Sequence, residues 1–259
     1  MQNINIEQAK QKFIKYVENY DLTKKSIKSK LEHSLRVMEL SEKIAKAEGL
    51  SSEEKEIATL IGLLHDIARF KQYTEYKTFS DALSFDHGEV GVEILKTNDY
   101  IREFISNDKF DETIMIAIKN HNKLEIEKGL TEEQNKFSKL IRDADKIDIL
   151  FQASQGFWNV DKNEMEESEI NSEIKKDFDD CKTIDRKKYP DVLYANSILQ
   201  MVALIFDMNY KSSFEIIKQE QYIEKIVDQF EYKNEKTKIQ LKDAEEKAKK
   251  YILEKIKEV

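Results

Sequence analysis

The sequence predicts an all-α protein, and three observations lead there. Helix breakers are scarce, with six glycines and one proline in 259 residues. Apolar residues recur at three- and four-residue steps, the period of a single helix face. No series of alternating strands punctuated by turn residues appears.

The elements follow in chain order. Thr23 is placed to cap a helix running through about Glu48, closed by Gly49. Ser51 opens the next helix, with Glu54 as its capping-box partner. Its apolar stripe is Ile57, Leu60, Ile61, Leu64 and Ala68. Residues 71–86 have no period and read as a loop. A helix is expected from about Gly88 to Lys96, and another capped by Asp111 with Ile114, Ala117 and Ile118 on one face. Gly129 breaks the chain, and Thr131 with Gln134 forms a second capping box. The helix after it carries Phe137, Leu140, Ile141, Ala144 and Ile149. Residues 161–180 hold nine acids and three lysines and read as an acidic, mobile or solvent-facing insert. Asp191 to Phe206 is expected to be a buried apolar helix. Residues 211–258 read as one or two amphipathic helices bearing Ile216, Ile217, Tyr222, Ile223, Ile226, Val227 and Phe230. All glycines lie at or before Gly156, which sets the expected organisation. Residues 1–155 form one helical domain, and 156–259 form a helical extension packed on it as one globule.

Composition narrows the function. The net charge is −8, which opposes coating of long nucleic acid, because phosphate binding needs a basic surface. The single cysteine, Cys181, excludes an intrachain disulfide framework and a cysteine zinc cluster. The N-terminus shows no basic region followed by an apolar core. The densest apolar run, Ile198 to Phe206, is far short of the roughly 20 residues of a membrane span. A cytoplasmic protein without membrane association is expected, as monomer or homodimer. The serines Ser34, Ser80 and Ser84 lack a nucleophile-elbow context, and no glycine-rich phosphate loop is present.

The four histidines are His33, His65, His87 and His121. Each falls on or at the start of an expected helix. His65 lies four residues after Ile61, and His121 three after Ile118, so both share an apolar face. Asp66 follows His65, and Asp145 sits midway between Ile141 and Ile149. Burying imidazoles with carboxylates is costly unless they are hydrogen-bonded, paired or bound to metal. Such a donor set suits Mn, Fe, Co, Ni or Zn. A single inward histidine is most often a hydrogen-bonded core residue, and Asp145 alone fits as a partner of Arg142 or Lys146. Periodicity therefore leaves both a metal site and a packed core open.

The ordered segments HSLRV (His33–Val37), LLHDIARF (Leu63–Phe70), DHGEVGVEIL (Asp86–Leu95), AIKNHNK (Ala117–Lys123) and IRDADKIDIL (Ile141–Leu150) are informative together. In this order they resemble the HD-domain superfamily of metal-dependent phosphohydrolases, over nearly half the chain. The combination further resembles a poorly characterised bacterial subgroup of it. The resemblance implies a helical bundle with metal at its centre and additional C-terminal helices here. It matches His33, His65, Asp66 and Asp145 to the core metal ligands. It matches His87 and His121 to the extra histidines of two-metal members, such as the HD-GYP phosphodiesterases and HD-type diadenosine-tetraphosphate hydrolases. Asp66 then bridges two divalent transition-metal ions, with Fe or Mn first and Mg, Ni, Co or Zn also compatible. Asp143 competes for the last ligand position, but the family pattern selects Asp145, leaving Asp143 and Asp148 as supporting or surface acids. The GYP signature is absent, so specificity for a cyclic dinucleotide is not implied.

The implied activity is cleavage of a phosphate ester or anhydride of a small, nucleotide-like substrate by a metal-activated hydroxide. The alternative is a non-catalytic, nucleotide-sensing regulator that keeps the metal site. Arg69 lies one turn after His65, where the HD-GYP motif carries lysine, and is the expected phosphate contact and catalytic cation beside Asp66. Lys77, Gln72, Asn120 and Lys123 are candidates to line the pocket mouth, Lys77 first because it sits in the unpatterned loop; Lys77, Asn120 and Lys123 are the expected substrate contacts, with a structural or solvated role the simpler reading of each. Phe151, Phe157 and Trp158 are candidates to stack on a base, with packing against the C-terminal helices as the simpler role.

Overall fold

The computed structural model describes residues 4–156, 161–185, 188–189 and 193–258. Among these residues there are helices, short 3-10 turns and loops but no strand, so the all-α expectation holds. The chain divides into two compact units, Met1–Asp145 and Lys146–Val259. The division falls inside a helix, ten residues before the 155/156 boundary expected from glycine usage.

In the first unit, α1 (Ile6–Val17) is capped by the Asn5 side chain and buries Ala9, Phe13 and Val17 at successive four-residue steps. It packs on α3, which spans Ser52–Leu64 and begins with the expected Ser51–Glu54 capping box. Between them, α2 (Lys25–Ala47) ends in the expected way. Gly49 takes φ +72°, its N–H bonds the Lys46 carbonyl, and the Leu50 N–H bonds that of Ala45. The start of α2 differs from expectation. Lys24, not Thr23, is the capping position, because the Thr23 hydroxyl donates to Asp21 instead.

The segment after Asp66 also differs. Residues 71–76 are not loop but belong to α4 (Arg69–Tyr76), whose buried side chains are Phe70 and Gln72. A buried glutamine replaces the second apolar position, which hides the helical period. Lys77 ends α4 with φ 57°, and a 3-10 turn follows at Asp81–Leu83. Then come α5 (His87–Lys96), capped by Asp86, and a 3-10 segment Thr97–Glu103. In α6 (Asp111–Asn120), Ile114, Ala117 and Ile118 are buried as expected. Asp111 is not its cap; it lies in the first turn, paired with Arg102. Finally α7 (Glu132–Ser154) carries the Thr131–Gln134 capping box. It buries Phe137, Leu140, Ile141 and Ala144, whereas farther on Ile147 and Leu150 are buried rather than Ile149.

The second unit begins in α7. The acidic stretch 161–180 is not a bare insert. It forms α8 (Lys162–Glu167) and α9 (Ser172–Asp179), anchored by buried Met165, Ile170, Ile174 and Phe178. The apolar segment yields α10 (Ala195–Val202) and a 3-10 turn to Asp207, shorter than expected within the described residues. The remainder is three helices rather than one or two: α11 (Lys211–Glu220), α12 (Tyr222–Val227) and α13 (Glu235–Lys257). Gln221, at φ 54°, breaks α11 from α12, and α13 packs on both. Phe151 meets the Tyr222 ring edge-on with centroids 6.3 Å apart, a packing role. Phe157 and Trp158 lie outside the described residues.

Two glycines set close approaches in the first unit. A Cβ on Gly62 would lie 2.9 Å from the Val37 carbonyl oxygen and 3.0 Å from the Met38 Cα, both backbone atoms of α2. A Cβ on Gly88 would meet the Asn122 amide oxygen at 2.6 Å and the Lys119 carbonyl at 3.0 Å. The first glycine lets α2 and α3 touch, and the second seats the start of α5 on the end of α6. Gly62→Ala is expected to destabilise the protein by about 1–3 kcal/mol through overpacking, although Ala is the better helix former by about 1 kcal/mol. Urea unfolding measures this. A more stable variant would mean that α2 and α3 do not approach this closely.

Candidate metal centre

The six residues expected to bind metal come together in the first unit. His33 projects from the middle of α2, and His65 is the residue that closes α3, with Asp66 next to it. His87 begins α5, His121 closes α6, and Asp145 lies on α7. All except Asp145 are at most 4% exposed, and Asp145 is half-buried.

The carboxylate of Asp66 is the junction. Its Oδ2 lies 3.4 Å from His33 Nε2 and 3.6 Å from His65 Nε2. Its Oδ1 lies 3.4 Å from His87 Nε2 and 3.6 Å from His121 Nε2. Each oxygen thus faces one pair of imidazoles. Asp145 Oδ1 joins the first pair, 3.2 Å from His33 Nε2 and 3.8 Å from His65 Nε2. Asp143, the competing acid, is fully buried, and Asp148 accepts from Gln152.

The imidazole tautomers follow from the partners behind the rings. His65 Nδ1 donates to the Gly62 carbonyl at 2.8 Å, and His121 Nδ1 donates to the Ile118 carbonyl at 2.6 Å. Both close a helix by bending back onto a carbonyl three residues upstream, satisfying a group that helix ends leave unpaired. His87 Nδ1 donates to the Asp81 carboxylate at 2.7 Å. With these Nδ1 atoms protonated, the Nε2 lone pairs of His87 and His121 face each other at 2.9 Å. Two lone pairs at that separation repel unless a cation lies against them. The donor set therefore fits a divalent ion, and His33–His65–Asp145 and His65–Asp66–His121 both converge closely enough to hold one.

Two cations flank the junction. Lys30 Nζ is 2.8 Å from Asp66 Oδ2, and Arg69 Nε is 3.3 Å from Asp66 Oδ1. Both lie against the Phe79 ring, 5.5 and 5.8 Å from its centroid. Burial pushes the Asp66 carboxyl pKa up, but Lys30, His65 and Arg69 more than offset it and hold the group well below the usual carboxylate range. Asp145 is likewise lowered against its burial, chiefly by His33. Lys30 was not among the sequence candidates, although it lies three residues before His33, one turn away on the same face. Asp81 had no local signal, because it sits in a segment without period.

The remaining candidates are placed as follows. Arg69 is held by NH1 bonds to Gln72, the Phe79 carbonyl and Asp81. Gln72 is not at a pocket mouth; it is fully buried and donates to Asp81, Ser84 and the Phe85 carbonyl. Lys77 is exposed, with its ammonium on the Thr74 carbonyl of its own helix. Asn120 is buried, its amide donating to the Ile116 carbonyl and accepting from the Glu127 N–H, so both ends serve the chain. Lys123 is paired with Asp86 and Glu89. Arg142 grips the carbonyls of Asn120, Lys123 and Leu124, fixing the turn that carries His121.

Desolvation lowers the pKa of His65 to about 3 and that of His87 to about 4. In the unfolded chain, histidine protonates at about 6.5. Below that value the unfolded state binds protons that the folded state refuses, so stability falls as pH drops through this window. The melting temperature of the metal-free protein is expected to decline steadily from about pH 7 to about pH 4. A flat profile would show that both rings are open to protonation in the folded state.

Comparison with known proteins agrees with this geometry. No curated protein and no solved structure matches the chain. Residues 31–150 match the family described as HD domain, a stretch that contains all six convergent residues. The matched stretch runs from α2 into α7 and covers somewhat less than half of the chain.

Proposed function

We propose that the protein is a metal-dependent phosphohydrolase that cleaves an ester or anhydride of a small nucleotide-like phosphate. One observation carries the reading: the two oxygens of Asp66 each face a separate pair of imidazoles. That arrangement suits two divalent ions bridged by Asp66, with His33, His65 and Asp145 on one and His87 and His121 on the other. Iron or manganese fits the mixed imidazole and carboxylate set. Ions bound there supply an activated water and polarise the phosphoryl oxygens.

The protein's own groups do the rest. The Nδ1 bonds behind His65, His87 and His121 keep their Nε2 atoms unprotonated and aimed inward. Lys30 and Arg69 stand on opposite oxygens of Asp66, so an incoming phosphate meets a cation on either side. The Arg69 guanidinium, held by Asp66 and Asp81 through Nε and Nη1, brings a fixed charge to the site, while the Lys30 ammonium acts as a point charge. Among the expected substrate contacts, Lys77, Asn120 and Lys123 bond only to groups away from the six convergent residues, whereas Arg69 and Lys30 contact Asp66 itself, so these two are the stronger assignments. The net charge of −8 fits a small substrate better than a long nucleic acid.

The test is product release from nucleotides, cyclic dinucleotides and dinucleoside polyphosphates, with Mn²⁺ or anaerobic Fe²⁺. Asp66→Ala is expected to lower turnover by at least about 100-fold with loss of bound metal. Undiminished turnover in that variant would refute the reading. No turnover by a fully metal-loaded wild type would move the assignment to nucleotide sensing. Lys30→Ala and Arg69→Ala are each expected to lower kcat/KM by about 10- to 1000-fold while metal content stays unchanged. Equal kcat/KM in both variants would remove these cations from the substrate site.

A further inference from the structure

We infer that Asp81 is a positioning residue that selects the metal-binding tautomer of His87. This rests on the two-ion reading above for the identity of the ligand, but the geometry behind it is independent. His65 and His121 close helices and find an acceptor in their own turn. His87 stands at the opposite kind of helix end. It is the first residue of α5, where the backbone presents N–H groups and no free carbonyl. Its ring orientation must come from elsewhere, and Asp81 supplies it through contacts of 2.7 and 2.8 Å to Nδ1.

Asp81 itself lies on a short 3-10 turn, yet three donors pin it. Arg69 NH1 and Gln72 Nε2, both from α4, donate to Oδ1 at 3.0 and 2.9 Å. Asn122 Nδ2, just after α6, donates to Oδ2 at 3.0 Å. Each of these donors has a second acceptor: Arg69 has the Phe79 carbonyl, Gln72 the Phe85 carbonyl, and Asn122 the Asp86 carboxylate. Among the described residues, the Nδ1–H of His87 has no acceptor except Asp81.

The decisive neighbour is Asn122. Its Nδ2 sits 3.3 Å from His87 Nδ1. The amide cannot be turned the other way without aiming its oxygen at Asp81 and Asp86. If the Asp81 charge is removed, this N–H becomes the natural partner of Nδ1, and the ring proton moves to Nε2. An imidazole protonated at Nε2 has no lone pair for an ion on the Asp66 side. Asp81 therefore decides which nitrogen of His87 is available, by outbidding an amide donor already in place.

The experiment uses the full chain stripped of metal, with Mn²⁺ titrated calorimetrically into wild type, Asp81→Asn, His87→Ala and the double variant. Asp81→Asn preserves shape, so melting temperature should change little. Its Mn²⁺ affinity is expected to fall about 10- to 100-fold, and the double variant should bind no more weakly than His87→Ala alone. Nitrogen NMR of the metal-free protein should show His87 protonated at Nδ1 in wild type and at Nε2 in Asp81→Asn. Wild-type affinity in Asp81→Asn, additive losses in the double variant, or an unchanged tautomer would each overturn the assignment to Asp81. If wild type binds one ion whose affinity His87→Ala leaves untouched, the two-ion reading falls instead, and the Asp81 assignment falls with it.

Discussion

The first unit is organised around one buried carboxylate. Asp66 has almost no contact with water, and an isolated anion there would cost several kcal/mol in lost solvation. The protein answers from both sides. Lys30 approaches one oxygen from α2 and Arg69 the other from α4, while four imidazole nitrogens complete the shell. Helices α2, α4 and α5 and the residues that close α3 and α6 each contribute at least one of these groups. The helices can meet only in the arrangement that closes the shell, so the ligand geometry and the packing geometry are one constraint.

That constraint explains where side chains are missing. Gly62 removes a Cβ at the contact of α2 with α3, which brings His33 and His65 within 3.2 Å of each other. Gly88 removes one where α5 meets the end of α6, which brings His87 and His121 within 2.9 Å. Each imidazole pair therefore sits beside a glycine that permits the approach. The Gly62 carbonyl also receives the proton of His65, so one residue both opens the space and orients the ligand that uses it.

Much of this was legible in the sequence, and the exceptions share a physical cause. The capping boxes at Ser51 and Thr131 and the glycine closure at Gly49 are local signals carried by two or three residues, and they formed as expected. The set of four histidines with Asp66 and Asp145 came from the ordered segments that resemble the HD-domain superfamily, since apolar-face spacing alone marked only His65, His121 and Asp145 and left a packed core open. What stayed hidden were positions where a polar residue does an apolar residue's job. Gln72 is buried in α4 and erases its period. In α8 and α9 most acids face water, Glu166 excepted, and they mask a few deep anchors such as Met165 and Phe178. Thr23 and Asp111 looked like caps, but Asp21 and Arg102 compete for their side chains. Asp81 was beyond reach, since its partners arrive from α4, α5 and the turn after α6.

The charge of the centre bears on what it can accept. Asp66, Asp81 and Asp145 carry three negative charges, against Lys30 and Arg69, so the protein groups alone nearly balance. If divalent ions occupy the proposed ligands, they would tip this buried centre to an excess of positive charge, which a phosphate dianion would complement. The protein as a whole is acidic. Its surface repels an extended polyanion along its length, yet that repulsion is screened beyond about 8–10 Å at physiological salt. A small phosphate feels the repulsion weakly on approach and the local excess strongly on arrival. If the proposed function holds, the two scales of charge act together to favour a small phosphate over a long polyanion.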